Sequence, residues 1–311
     1  MNTQIFNIYG YCIKILSSDF SLSELKVNSD FEFFSSAVAE NPDLQIVVKK
    51  LTEVRLRGFP IGKTSMCEVR QVSLQLRQLV YRKHEKILAV VNDSSDSKNR
   101  LVEINAADNA IIDDVLYFLI NSCCGEYLDK KGLMRIHALS YSTKNRGAVV
   151  FGFPGAGKST VALGLMKNAG VRIFSDEISI YDINKRVMLP FPIRIAVTDI
   201  SEKAGFATKF TYFFNTKYLV NLEKDKISTS CKLTHFHFLD RSRKPVLFYL
   251  ISILLGIGLI QMWEYLLRFN NIPALFRIAK NRLKLCRILL LYKPSFLDRN
   301  LLLEEKLKIL L

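Results

Sequence analysis

Apolar and polar residues alternate differently in the two parts of this 311-residue chain. Up to about residue 128 the apolar runs are short, alternate with polar residues and are separated by turn residues, which is typical of strands. The clearest of these runs is Lys86–Val91. A longer apolar run, Ala110–Cys124, has the length of a helix and follows Asp108, a suitable N-cap residue. Residues 1–128 therefore predict a smaller, mostly β region that also contains a helix, and its role stays open.

The second part alternates shorter strands with helices, which predicts an α/β domain over residues 129–311. A helix is expected from Lys158 to about Asn168, and the run Arg287–Tyr292 favours a late strand. The earlier predicted strands are Met134–Ser140, Gly147–Phe151, Val171–Phe174 and Ile178–Ile183.

Residues 245–263 have no charged side chain over 19 positions, which reaches the lower range of about 17–25 residues for a membrane span. Basic residues flank the segment on both sides, so charge gives it no orientation. Gln261 and two glycines weaken a membrane assignment further. We favour a helix buried against the sheet, with a membrane span as the alternative.

A glycine-rich segment connects the predicted strand Gly147–Phe151 to the helix that begins at Lys158, and it fits the pattern G-x-x-x-x-G-K-[ST]. In this context the glycines let backbone N–H groups turn toward phosphate oxygens. The lysine can reach the β- and γ-phosphates, and the serine hydroxyl can hold Mg²⁺. We therefore predict a nucleotide-phosphate site. Its residues are Gly152, Phe153, Pro154, Gly155, Ala156, Gly157, Lys158, Ser159 and Thr160.

Two acidic residues, Asp176 and Glu177, follow the next predicted strand. Ligands of open α/β sheets bind at the carboxyl ends of strands, so this pair and the glycine-rich segment are expected at the same edge. On a strand the two side chains would point to opposite faces, so that one could face a metal and the other an acceptor.

Histidines offer weaker signals. His137 lies on the strand before the glycine-rich segment, where a lone histidine is more often a packed core residue than a catalyst. His235 and His237 are two positions apart and could share a metal, but no third ligand is visible.

Three segments in this order, Ile136–Ser140, Gly147–Thr160 and Ser175–Glu177, resemble the HPr kinase/phosphorylase family and its small serine-kinase relatives. The resemblance is specific over about residues 133–183. It implies a phosphoenolpyruvate-carboxykinase-like variant of the P-loop kinase fold, with a mixed sheet flanked by helices. It also implies ATP and Mg²⁺ as ligands, and phosphoryl transfer to a serine hydroxyl of a peptide or protein.

The resemblance also implies roles by position. Lys158 binds the ATP phosphates, and Ser159 holds Mg²⁺. Asp176 corresponds to the base that takes the proton of the acceptor serine, and Glu177 to a residue associated with the metal. His137 corresponds to a histidine beside the transferred phosphate.

The chain departs from full HPr kinases after the acidic pair. Their glycine-rich signature loop and a later Arg-Asn-Pro segment are missing, and Pro190–Ala196 occupies that region. The resemblance therefore does not extend to HPr as the substrate or to the reverse phosphorylase reaction, and both stay open. Arg194 is the candidate for the cation that clamps the phosphate opposite the acidic pair.

Two other functions stay open from the sequence. One is a small-molecule kinase of the same fold. The other is a nucleotide-hydrolysing regulatory protein that has no phospho-acceptor.

The net charge of +15 is concentrated toward the C-terminus, since residues 241–311 carry 13 Lys and Arg but 4 Asp and Glu. Such a field attracts anions, which leaves open a peripheral membrane contact. Nucleic-acid binding is not favoured, because no platform of aromatic and arginine residues is evident. Six cysteines without a C-x-x-C pair, and no evident signal peptide, predict a cytoplasmic protein. A homo-oligomer also stays open.

Overall fold

The computed structural model describes residues 2–37, 41–63, 67–94, 100–153, 155–197, 207–211, 216–220, 222–240, 246–254, 272–292, 295–298 and 303–310. Within these ranges the protein is α/β, with two large mixed sheets and few helices. The chain divides into two compact units, one formed mainly by residues up to Tyr127 and the other mainly by residues from Leu128 onward.

The first unit contains an eight-stranded sheet in the order β1-β2-β3-β8-β7-β6-β5-β4. Its strands are β1 (Asn2–Ile8), β2 (Tyr11–Ser17), β3 (Leu44–Lys50), β4 (Phe59–Lys63), β5 (Cys67–Gln71), β6 (Leu76–Lys83), β7 (Lys86–Ser94) and β8 (Arg100–Ala106). Alternate residues of β2 and β3 are buried, as the period-two pattern requires. The helical elements of this part are Leu22–Glu24 and Glu32–Phe34, both 3-10, α1 (Lys26–Asp30) and α2 (Asn109–Lys131).

Helix α2 begins where the sequence predicts. The side chain of Asp108 accepts the N–H of Ile111 at 3.0 Å, so the predicted N-cap is confirmed. The helix continues to Lys131, seven residues past the predicted end at Cys124. Its last turns carry the buried residues Leu128 and Asp129, and these tertiary contacts extend it beyond the apolar run.

The second unit contains a mixed sheet in the order β12-β10-β11-β18-β14-β13-β9, with β19 beside β18. Its strands are β9 (Leu133–Ile136), β10 (Ala138–Thr143), β11 (Arg146–Phe151), β12 (Val171–Ser175), β13 (Ser179–Asp182), β14 (Val187–Leu189), β18 (Cys231–Asp240) and β19 (Ser295–Asp298). A separate sheet has the order β15-β17-β16, formed by β15 (Ile195–Val197), β16 (Ala207–Thr211) and β17 (Thr216–Val220). The helical elements are α3 (Lys158–Met166), the 3-10 turn Lys224–Lys226, α4 (Val246–Leu254), α5 (Ile272–Leu290) and α6 (Leu303–Leu310).

Helices cover the sheet of the second unit on both faces. Val149 and Phe151 of β11 pack in one apolar cluster with residues of α4 and α5. Ala148 and Val150 of the same strand pack in a second cluster with residues of α3 and α6. Strand β11 is therefore buried on both faces, which is why its sequence reads as a continuous apolar run.

The predicted late strand at Arg287–Tyr292 is wrong, because residues up to Leu290 belong to helix α5. Buried Ile278, Leu285 and Leu289 recur at helical spacing along it. The six residues Arg287–Tyr292 are too few to reveal that period.

The uncharged segment 245–263 is described only from Val246 to Leu254, which form helix α4. Tyr249, Leu250 and Ile253 of this helix are buried in the apolar cluster beside β11. Residue 245 and residues 255–263 lie outside the described residues. Among the helices that the structure describes, none has the length and apolar character needed to cross a membrane.

Candidate functional site

The glycine-rich segment forms the loop between β11 and α3. Among the predicted phosphate-site residues, Pro154 is the one that lies outside the residues described by the structure. Gly155 and Gly157 have φ angles of +76° and +93°, which side chains with a Cβ rarely adopt. A Cβ placed at either glycine would meet no atom within 4 Å. Glycine is thus required by the backbone conformation rather than by crowding, and the concave loop has open space beside it.

Gly152 is required for a different reason. A Cβ at this position would lie 3.1 Å from the carbonyl oxygen of Leu239 and 3.0 Å from the Cβ of Ala156. The N–H of Ala156 also donates to the carbonyl of Phe153 at 3.0 Å. The loop is therefore folded tightly against strand β18.

The first turn of α3 begins directly after the loop. Its first helical hydrogen bond joins the N–H of Val161 to the carbonyl of Gly157 at 3.0 Å. The N–H groups of Lys158, Ser159 and Thr160 precede that bond and have no partner within the helix. Because Gly157 has no side chain that could cap them, these donors and the helix dipole favour an anion at this end.

Lys158 is buried, with 8% of its surface exposed, and its ammonium group lies inside the loop. The Nζ atom donates to the carbonyl of Gly152 at 2.7 Å and to that of Phe153 at 3.4 Å, and it lies 3.2 Å from Nε2 of His137. Burial lowers the pKa of Lys158, and the nearby charges of Asp176 and Glu177 counteract this in part. The structure thus brings five of the predicted site residues together around the Lys158 cation.

The sequence predicted a single strand over Met134–Ser140. In the structure His137 lies at a break between β9 and β10. Before the break, β9 pairs with β13 and joins Ile136 to Ser179. After the break, β10 pairs with β12 and joins Ser140 to Ser175. The segment β9–β10 therefore bends at the same place as the segment β12–β13 that pairs with it. This bend places His137 opposite the link between β12 and β13.

Asp176 and Glu177 occupy that link, directly after β12, so the alternation of side chains along a strand does not set their directions. Ser175 shapes the turn, because its hydroxyl accepts the N–H of Ile178 at 3.0 Å. Ser179 then anchors the next strand by donating to the carbonyl of Ala138 at 2.7 Å. Asp176 is 4% exposed and Glu177 is partly exposed, so the bend holds one buried and one accessible carboxylate.

Arg194 is buried, with 4% of its surface exposed. Its segment is joined to the end of β12 by the N–H of Phe191, which donates to the carbonyl of Phe174 at 2.9 Å. Phe174 is two residues before Asp176. A guanidinium group this deeply buried requires charged or carbonyl partners. The bond from Phe191 holds its segment beside the end of β12, and the acidic pair follows that strand.

Strand β18 brings the backbone of Asp240 to the same end of the sheet as the glycine-rich loop, a placement that the sequence reasoning missed. Strand β18 runs parallel to β11, with Phe238 opposite Phe151, and it ends at Asp240. The preceding residue is Leu239, whose carbonyl approaches Gly152. A strand with alternating apolar and polar residues that ends in an acidic residue was the available signal. The parallel pairing to β11 was the information that the sequence lacked.

His235 and His237 lie on the same face of β18, and their rings stack with centroids 6.0 Å apart. Nδ1 of His237 is 2.7 Å from the hydroxyl of Ser295. Burial, and then the neighbouring His235, lowers the pKa of His237 to about 4. Among the described residues, no three His, Cys, Asp or Glu side chains are arranged to hold a metal ion.

Comparison with known proteins adds no family to this picture: no protein-family model matches the chain, and no curated protein matches it. The chemistry of the site therefore has to be judged from its own residues. They combine a helix N-terminus, a glycine loop with open space, a buried ammonium group and two carboxylates.

Proposed function

We propose that this protein binds ATP with Mg²⁺ at the loop Gly152–Thr160 and transfers the γ-phosphoryl group to a serine hydroxyl of a peptide or protein. We also propose that residues 129–311 form a phosphoenolpyruvate-carboxykinase-like P-loop kinase core. The main observation in support is the buried ammonium of Lys158, held between loop carbonyls and His137 and close to Asp176 and Glu177. A buried cation of this kind has little structural use, because its desolvation costs free energy.

The loop fits a triphosphate in three respects. The open space beside Gly155 and Gly157 leaves room for phosphate oxygens. The first-turn N–H groups of α3 supply donors without a helical partner. Lys158 supplies a positive charge that can exchange its carbonyl acceptors for phosphate oxygens.

The proposed roles follow from burial. Asp176 accepts the proton of the acceptor hydroxyl, since a buried carboxylate beside an ammonium group is ordered and kept from bulk water. His137 lies against the Lys158 ammonium and orients that lysine. Bound Mg²⁺ supplies charge neutralisation at the β- and γ-phosphates.

Two carboxylate positions are candidates for the Mg²⁺ shell, together with the Ser159 hydroxyl. Glu177 is the position implied by the family resemblance, and it is partly exposed. Asp240 is the position implied by topology, because it ends the parallel strand next to β11. In many P-loop enzymes an aspartate at the end of a strand holds the metal, and this supports Asp240.

A serine acceptor rests on the resemblance over residues 133–183 and on the histidine and acidic pair at the bend. A direct test incubates the full chain with ATP labelled at the γ-phosphate, Mg²⁺ and a cell lysate, followed by mass spectrometry of labelled species. We expect a phosphoserine in a peptide or protein that is missing when Lys158→Ala protein is used. A labelled metabolite would indicate a small-molecule kinase, and released phosphate without a labelled product would indicate a hydrolase.

A further inference from the structure

Helix α5 presents an exposed apolar row to solvent. Phe276, Leu283 and Leu290 are 73%, 49% and 50% exposed, and they are spaced seven residues apart. Seven residues are close to two helical turns, so the three side chains lie nearly in line over about 21 Å. Leu291, immediately after the helix, is 72% exposed. Exposing four large apolar side chains together does not stabilise a folded domain, and such a patch is typical of a binding surface.

A second row, made of cations, runs along the same exposed side of the helix. Arg277, Lys280, Lys284 and Arg287 are all exposed, and they follow one another at spacings of three or four residues. At 100° per residue this row lies directly beside the apolar row. The sequence of α5 contains no Asp or Glu, so no acid within the helix neutralises the row.

The opposite side of α5 is already used by the fold. Ile278, Leu285 and Leu289 are buried, and the guanidinium of Arg282 donates to the carbonyl of Ile253 at 3.0 Å and lies 3.4 Å from the carboxylate of Asp129. These contacts fix the rotation of the helix about its axis. The apolar and cationic rows are therefore held outward by packing.

We propose that this exposed face of α5 binds the surface of an anionic phospholipid bilayer. A helix lying in the bilayer interface buries apolar side chains at the boundary of headgroups and acyl chains, while Lys and Arg on the same side attract anionic headgroups. The rows Phe276–Leu283–Leu290 and Arg277–Lys280–Lys284–Arg287 supply both. Nucleic acid would use the cations but give no favourable site to the apolar row. An acidic protein is the competing partner that the test must separate.

The test is co-sedimentation of the full chain with vesicles of phosphatidylcholine alone, or of phosphatidylcholine with about one-third phosphatidylserine, at two salt concentrations. We expect binding to the anionic vesicles only, and weaker binding at higher salt because exposed charges are screened. Two variants address the two rows: Lys280→Glu/Lys284→Glu for the cations, and Phe276→Ser/Leu283→Ser for the apolar side chains. All four positions are exposed, so thermal unfolding should be little changed in either variant.

The matched control for Lys280→Glu/Lys284→Glu is Arg146→Glu/Arg172→Glu. It makes the same change of net charge at exposed positions on β11 and β12. We expect each α5 variant to bind anionic vesicles at least 10-fold more weakly than the wild type, and the control to bind like the wild type. Equal loss in the control would mean that only net charge matters and would overturn the proposal. The proposal would also be overturned if the wild-type protein bound vesicles of phosphatidylcholine alone. Binding of the wild-type protein to polyglutamate but not to anionic vesicles would overturn it as well. The proposal is independent of phosphoryl transfer, since none of these residues belongs to the candidate site.

Discussion

Nζ of Lys158 lies 3.2 Å from Nε2 of His137, although 21 positions separate the two residues in the chain. An ammonium group can only donate, so Nε2 is the acceptor in this contact. The contact links the glycine loop to the bend that carries Asp176 and Glu177. It therefore connects the candidate donor site to the candidate acceptor site.

Lys158→Met tests whether the buried ammonium serves function rather than stability. The substitution keeps an unbranched side chain that is one atom shorter and removes a charge whose burial is costly. We expect the thermal midpoint to stay within about 4 °C of the wild type, while ATP-dependent phosphoryl transfer falls at least about 100-fold. Lys167→Met, at the exposed far end of α3, should leave both unchanged. Wild-type transfer by Lys158→Met would refute the proposed role.

Asp176→Asn separates nucleotide binding from the transfer step. An amide has nearly the same shape as the carboxylate but cannot take a proton from the acceptor. We expect unchanged ATP affinity by calorimetry and loss of labelled product. The control is Asp182→Asn, because Asp182 is also buried and its side chain accepts the N–H groups of Asn184 and Lys185 at 2.8 and 3.0 Å. An asparagine oxygen can accept the same bonds, so this variant should retain transfer.

The identity of the metal carboxylate can be decided by comparing Asp240→Asn with Glu177→Gln. Loss of a ligand should raise the Mg²⁺ concentration needed for half-maximal activity by about 10-fold or more. We expect the larger increase for Asp240→Asn, because strand β18 ends beside the glycine loop. A larger increase for Glu177→Gln would assign the metal to the bend instead.

Asp129 is the centre of a buried ion cluster, and its loss should destabilise the second unit. The residue is fully buried, its carboxylate lies 3.0 Å from Nη2 of Arg135 and 3.4 Å from Nη2 of Arg282, and its carbonyl accepts from Asn281 at 2.9 Å. Asp129→Ala would leave two buried guanidinium groups without this partner, which should cost about 3–5 kcal/mol. Asn281→Ala removes a single hydrogen bond and should cost about 1 kcal/mol. Urea unfolding followed by circular dichroism measures both, and similar losses would contradict this order.

His237 should make the protein less stable in acid. Burial lowers its pKa from 6.5 to about 4, so between these values the unfolded chain binds a proton that the folded chain does not. Stability is therefore lost as the pH falls through this window, by about 2 kcal/mol at pH 5. His237→Gln should reduce the difference in unfolding free energy between pH 7 and pH 5 by about that amount, and His235→Gln should retain most of it. An unchanged difference in His237→Gln would show that the imidazole is not held neutral.

The strand-to-loop-to-helix segment was predictable because each of its elements has a local cause. Gly155 and Gly157 adopt left-handed conformations that favour glycine. The start of α2 was predictable for a similar reason, because Asp108 caps that helix. The α/β class also followed from the order of apolar runs. The finer kinase fold and its chemistry remain predictions.

Tertiary pairing was not predictable from one sequence. The placement of His137 opposite the link that holds Asp176 depends on two registers, Ile136 with Ser179 and Ser140 with Ser175, which bring together residues about 40 positions apart. The position of Asp240 depends in the same way on the parallel pairing of β18 with β11. The strand predicted at Arg287–Tyr292 was wrong because a six-residue window contained only the last apolar turn of helix α5.

The bend at His137 also fixes how many residues may separate β12 from β13. Only Asp176, Glu177 and Ile178 lie between β12 and β13, and Ser179 must still reach the carbonyl of Ala138. One inserted residue would turn every side chain of β13 to the opposite face of the sheet, sending Ile180 toward the side now taken by its neighbours. Protein engineering at this corner is therefore confined to exchanging residues, because any change of length would be transmitted along the whole strand.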